Sequence, residues 1–582
     1  MFRQAAKGLL RGSLKGRSYS TGQGSRRISG KVPGVLLASA FAATFALNSA
    51  VVYNDAPAEQ VPEQKKKADD VSSVSMEDQD SLHTTVWGSN KSGVLDPKAV
   101  DVDSFRTPTV VAWLHNVALR DLALHQKHAA CVDARGDVYQ WGEGFFSAEN
   151  RDGKPTLTLR GKNIVSLQLT EGRVYALSAS GKVYVLASDA ATQFLPVGKP
   201  TPASTPWWST GWMWGEEEDV DFAEVTPNCQ LTWGEKITSI SAGEHHLLAL
   251  TSAGRTFAHP VTKDANAYGQ LGLRKLDIPD HSERMHVGPH AARKTIELVP
   301  KSITDPYAKS SPYTRTSTPS ANQVEAIADT SIRFCDKLYE IPSLKGIEIV
   351  QIAAGGRSSF AVTSTGRVLG WGANEFGQIG LGNNYKSDTV VIPTEVVLWQ
   401  YTSNKTTSQC LNVTAGGDLT CFAVERKGEE NIDVLMCGNG QYGGLGNNLY
   451  TNSQGAPLRA KNVSGRQEYS EATKSLHAIA PYSISVSPSG HVLLTLNADM
   501  NVGGRDLMVW GKNHDSELGN GKKGSSPLPS ALTTTDGQRF MLMARTAKQV
   551  VDLQRKLWKR GVKVEQRAVA GYGNSIVYWR LC

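Results

Sequence analysis

Over most of the chain apolar and polar residues alternate with a period of two, and a glycine interrupts the alternation at intervals. The pattern reads CVDARGDVYQWG (131–142), ALSASGKVYVLA (176–187), ALTSAGRTFAHP (248–259), AVTSTGRVLGWG (361–372), AVERKGEENIDVLMCGNG (423–440) and SVSPSGHVLLTL (485–496). Each segment predicts a β-hairpin: two half-buried strands flank a residue that takes positive φ in a tight turn. Gly136, Gly181, Gly254, Gly366, Gly428 and Gly490 are the turn residues. Six copies of one unit predict a repeat fold, and local motifs have to be interpreted within it.

The two ends of the patterned region complement each other. AVAGYGNSIVYWRLC (568–582) supplies the strand that precedes a turn and then stops, whereas HTTVWGSNKSGVLDP (83–97) begins with the strand that follows one. Pairing the two in one composite blade removes the exposed sheet edges of an open array. With the six hairpins this predicts an all-β, seven-bladed β-propeller over 83–582.

A longer motif follows the hairpins. It is fullest at IVQIAAGGRSSFAVTSTGRVLGWGANEFGQIGLGNN (349–384), with partial copies at 237–273 and 413–448. These blades resemble the regulator-of-chromosome-condensation (RCC) repeat family, whose units carry an AGxxHSxAL strand, a Gly turn and WGxNxxGQLG. In that pattern Trp87, Trp141, Trp371 and Trp510 occupy the WG position and are expected between blades as core. His128 and His246 fall at the family's blade histidine, which is expected to pack and hydrogen-bond. The glycines serve backbone geometry, and the chain contains no GxxxxGK[ST], GxSxG or HExxH to suggest phosphate binding or hydrolysis.

The N-terminus has a different character. Residues 1–31 hold Arg3, Lys7, Arg11, Lys15, Arg17, Arg26, Arg27 and Lys31, and no acidic residue precedes Asp55, the composition of a mitochondrial presequence. Residues 33–53 then run 21 positions without a charge, enough at a 1.5 Å rise per residue to span a hydrocarbon core of about 30 Å as one transmembrane helix. Residues 54–82 are polar and aperiodic, the signature of a disordered tether. Basic residues before the apolar stretch and Asp55, Glu59 and Glu63 after it favour a propeller on the intermembrane-space side, against which Lys65, Lys66 and Lys67 argue for the matrix.

Net charge follows from that leader. The chain carries 62 basic and 55 acidic residues; without the first 31 residues the balance is 54 to 55, so the body lacks the electrostatic drive typical of nucleic-acid binding. Seven cysteines contain no CxxC or CxC pair, which argues against zinc. Cys410, Cys421 and Cys437 are expected as neighbours in one blade, with a disulfide among them left open.

Loops carry specificity on a rigid scaffold, and three departures from the repeat are long. Residues 189–235 include Trp207, Trp208, Trp212 and Trp214 followed by Glu216 and Glu217, a candidate protein-docking cluster because Trp gives large contact area at low entropic cost; the other reading is a cap on a blade. Residues 277–345 are rich in Ser, Thr and Pro and read as partly disordered, with a β-wedge or partner loop as the alternative. In 536–562, Val550, Leu553 and Leu557 are spaced for one helical face ending at Gly561, with Lys548, Arg555, Lys556 and Lys559 opposite, a second candidate partner-binding group that packs on the propeller or meets anionic lipid or RNA.

The presequence, single span, tether and divergent propeller together resemble the fungal mitochondrial inner-membrane branch of the family, implicated in assembly of respiratory complex III, the cytochrome bc complex. That resemblance implies a non-catalytic assembly factor without a cofactor, partnered by complex III subunits or assembly intermediates at the inner membrane. Two alternatives stand beside it. One is guanine-nucleotide exchange on a small mitochondrial GTPase; the other is a mitochondrial RNA or ribosome-biogenesis role, disfavoured by the near-neutral body.

Overall fold

The computed structural model describes residues 81–582 apart from 100, 147–153, 194–219, 280–292, 299, 301–328, 400–401, 403–405, 472, 498–503 and 535. The basic leader, the apolar stretch 33–53 and nearly all of the polar segment 54–82 lie outside the described residues. Among the described residues no helix is long and apolar enough to cross a membrane.

The described chain is all-β and propeller-like. Its repeating unit is clearest at Ile349–Ala354, Ser358–Thr363, Val368–Ala373 and Thr389–Glu395, four strands joined antiparallel in sequence order. Alternation accounts for the pairing. Phe360, Val362, Val368 and Trp371 are buried and pack into a core shared with the neighbouring units. The turn between the second and third strands needs Gly366, which adopts φ +79°.

Seven separate blade sheets were expected; the described residues form six sheets of four strands or more, plus two two-stranded ribbons. The difference has a local cause. Phe222–Pro227 runs parallel to Lys337–Glu340 through the pairs Thr226 with Lys337 and Pro227 with Leu338, which fuses two four-stranded units into one eight-stranded sheet.

The ends meet in a five-stranded sheet. Thr84–Ser89 pairs antiparallel with Asn574–Leu581, with Val86 opposite Ile576. Asn574–Leu581 in turn pairs with Leu557–Ala570, so both edges of the last strand are hydrogen-bonded, as closure requires.

Two expectations are corrected. The turn at Gly490 is not equivalent to the other five, because Pro481–Val486 is the first strand of its sheet and His491–Leu496 the second. The connection that matches the other turns lies between Leu496 and Arg505, where the second strand pairs with the third. SPSG mimics the repeat locally, and only the position of Trp510 on the following strand reveals the offset.

The helix expected in 536–562 is a β-hairpin, Ala544–Val551 paired with Leu557–Ala570. β-Branched residues decide the outcome: Val550 and Val564 are buried with Ala547 and Trp579 in one cluster. Asp552 then makes the turn, its carboxylate accepting from the backbone N–H of Lys556 at 2.8 Å, while Arg555 takes φ +64°. Gly561, expected as a helix stop, lies within the second strand of that hairpin.

Candidate functional site

The repeated motif builds a hydrogen-bonded seam between adjacent units. Trp371 Nε1 donates to the carbonyl of Gln270 at 2.9 Å, Trp87 Nε1 to that of Glu517 at 2.7 Å, Trp510 Nε1 to that of Gly444 at 2.8 Å and Trp141 Nε1 to that of Val94 at 2.9 Å. All four indoles are fully buried. The WG tryptophans are therefore core, as expected, and each anchors the loop of the preceding unit.

Histidine and serine extend this seam. Ser359 Oγ donates to the Gln270 carbonyl at 2.7 Å and lies 2.8 Å from His246 Nε2. A hydroxyl has one proton, so His246 must donate from Nε2, which fixes the neutral Nε2–H tautomer. The same relay runs from His491 through Ser575 at 3.1 Å to the Glu517 carbonyl at 3.0 Å. Burial holds both imidazoles at a pKa of about 3. His128 is also lowered to about 3 by burial and the nearby His125. His246 and His491 are neutral structural donors at physiological pH, whereas His128 Nε2 is buried without a hydrogen-bond partner.

The relay has a variant that the sequence reading missed. At CGNG, Cys437 occupies the WG position and its Sγ donates to the Gln378 carbonyl at 3.3 Å, alongside Thr420 Oγ1 at 2.7 Å. The Asn of each WGxN segment was equally readable. Asn90 Oδ1 accepts from the N–H of Leu95 and Asp96, and Asn513 Oδ1 accepts from that of Leu518; each folds the loop to which a Trp then bonds. Cys410, Cys421 and Cys437 share one sheet as free thiols, and the other four cysteines are also free.

The first strands of the units surround a cavity of about 380 Å³ lined by Asp121, Gln168, Glu244, Thr414, Arg567 and Arg580, among others. Glycines at its rim permit close approach: a Cβ on Gly355 would meet the Gly417 carbonyl at 3.0 Å. His125, beside Tyr572 at 4.7 Å between ring centroids, is lowered to about 4 chiefly by burial. Tyr572 is pushed up to about 12 by the same cause. Neither group is poised to exchange protons near neutrality.

The candidate partner residues separate. Trp207, Trp208, Trp212, Trp214, Glu216 and Glu217 lie outside the described residues. Arg555 is spent internally, its guanidinium donating to the carbonyls of Ala112, Trp113 and His115. Lys556 and Lys559 remain exposed on the hairpin. Five of the six turn glycines, Gly136, Gly181, Gly254, Gly366 and Gly428, sit where expected with φ between +77° and +103°.

Comparison with known proteins agrees with this geometry. The regulator of chromosome condensation (RCC1) repeat profiles match residues 349–378 and 365–423. The chain is 22% identical over 459 residues to the mitochondrial protein FMP25 of Saccharomyces cerevisiae, covering 77% of this chain and 65% of that one. It is 23% identical over 285 residues to the ultraviolet-B receptor UVR8 of Arabidopsis thaliana, covering 48% and 46% respectively. The chain thus spans less than two thirds of either relative. Among solved structures, yeast Prp20p aligns with a TM-score of 0.51 at 15% identity over 86% of this chain and 92% of its own. Human WBSCR16 aligns with a TM-score of 0.50 at 16% identity over 85% and 99%. The repeat profiles thus fall on the best-formed blade, residues 349–423, which holds the Trp371 seam, and the chain carries RCC1-type repeats there.

Proposed function

We propose that this protein is a non-catalytic, membrane-anchored assembly factor for mitochondrial respiratory complex III, acting as a rigid interaction platform. The observation that carries the reading is the similarity to a mitochondrial protein over 77% of the chain, joined to an N-terminus with eight basic and no acidic residues in its first 31 positions. In this reading the leader directs import and the apolar stretch 33–53 holds the protein in the inner membrane, with the propeller on the intermembrane-space side. The eight-stranded sheet is taken, in the same reading, as two blades of a seven-bladed propeller.

A platform is the role best matched to the chemistry at hand. His246 and His491 are committed to inter-blade bonds, and among the described residues the central cavity pairs no nucleophile with a base. Exchange on a small GTPase is the competing reading for this fold.

The test is crosslinking and affinity capture of the tagged full chain from detergent-solubilised mitochondria. Recovery of cytochrome b, the Rieske protein or a partial complex III supports the assignment. Recovery of a GTPase, with accelerated nucleotide release by the purified chain, replaces it.

A further inference from the structure

The C-terminal hairpin is strongly one-sided in charge. Residues 544–563 contain seven basic side chains, Arg545, Lys548, Arg555, Lys556, Lys559, Arg560 and Lys563, against a single acidic one, Asp552. Asp552 is only 3% exposed at its side chain and is already paired with Arg135 at 3.1 Å, so it does not offset the surface charge. Arg555 is bound to backbone carbonyls. Lys556, Lys559, Arg560 and Lys563 are exposed and form no ion pair among the described residues.

Apolar residues stand among these cations. Leu557, at the start of the second strand, is 47% exposed, and Met543, just before the first, is 45% exposed. Trp558 is half-buried and packs on the cluster of Val550, Val564 and Trp579. An exposed Leu beside an anchored Trp, among Lys and Arg, is the composition of a surface that rests in a lipid interface.

The path of the chain points the same way. Leu82 is buried in the same cluster as Ala547, Val550 and Val564, and the Arg545 guanidinium donates to the Ser81 carbonyl. Asn116 holds Leu82 from both sides, its Oδ1 accepting from the Leu82 N–H and its own N–H donating to the Leu82 carbonyl, each at 2.9 Å. The described chain therefore begins, at Ser81 and Leu82, against this hairpin.

We propose that the hairpin 544–563 is a bilayer-contacting element that docks the propeller on an anionic membrane surface, Lys556, Lys559, Arg560 and Lys563 meeting lipid phosphates and Leu557 entering the interface. Clustered lysines and arginines near a bilayer gain from its negative surface potential. RNA would use the same charges but has no use for an exposed Leu557. The proposal does not depend on the complex III assignment.

The test is flotation of the full chain with vesicles of phosphatidylcholine alone or with phosphatidylserine. Lys556→Gln, Lys559→Gln, Arg560→Gln and Lys563→Gln are combined, and Lys522→Gln with Lys523→Gln removes two exposed charges elsewhere. All six side chains are exposed, so an unchanged thermal midpoint verifies folding. The hairpin variant should bind phosphatidylserine vesicles about 100-fold more weakly while keeping its affinity for phosphatidylcholine vesicles, with the Lys522/Lys523 variant unaffected. Equal binding by the hairpin variant and the unaltered chain would overturn the proposal, as would equal losses in both variants. Loss of binding to a labelled RNA without any change on vesicles would overturn it in favour of nucleic acid.

Discussion

Trp371 and Gln270 are joined by an indole-to-carbonyl hydrogen bond of 2.9 Å that crosses from one sheet to the next. The residues are 101 positions apart in sequence, and the bond ties the WG strand of one unit to the GQLG loop of its predecessor. The arrangement recurs at Trp87, Trp141 and Trp510, so the same bond is repeated between successive units beside the apolar clusters they share.

Trp371→Phe keeps a ring in the core, deletes that bond and leaves a small void. The loss should be about 2 kcal/mol, the sum of a buried hydrogen bond and lost contact. It will be read as a lower thermal midpoint by circular dichroism.

The histidine relays make stability depend on acid. His246 and His491 titrate at about 3 when folded and near 6.5 when unfolded. Between those values the unfolded chain binds the extra protons, so stability is complete above about pH 6.5 and falls as pH drops toward 3. At pH 5 each histidine should cost on the order of 1–2 kcal/mol. His246→Asn is predicted to flatten the fall of the thermal midpoint between pH 7 and pH 5.

Gly136 and Gly490 both have positive φ, +92° and +104°, yet they face different surroundings. A Cβ at Gly136 would lie 2.9 Å from Asn163 Cα, whereas at Gly490 the nearest atom is 3.8 Å away. Gly136→Ala should therefore lower the thermal midpoint more than Gly490→Ala, which carries only the backbone strain of about 1–3 kcal/mol.

Much of this was legible in the sequence because the motif joins local and long-range structure. Gly366 and Trp371 lie five residues apart, and the same short segment specifies both the turn and the seam. Closure was legible because the two half-units complement each other. The offset at Gly490 was not, since SPSG fits either turn and only pairing over the whole sheet separates them. The hairpin at 544–563 was misread as a helix because Val550, Leu553 and Leu557 satisfy the helical spacing by coincidence; Asp552 and Arg555 in the turn, with Val562 and Val564 beyond, set the true period. The Cys437 seam was hidden by its departure from Trp.

Removing residues 81–89 tests closure. The shortened chain would lose the pairing of Thr84–Ser89 with Asn574–Leu581 together with the buried Trp87, exposing two sheet edges. It should self-associate, seen by light scattering, and unfold at a lower temperature than the full chain.

The central claim is tested most directly by native-gel comparison of respiratory complexes III, IV and V in mitochondria with and without this protein. The account predicts selective loss or stalling of complex III with complexes IV and V assembled normally. A parallel loss of all three, or three unchanged complexes, would contradict it.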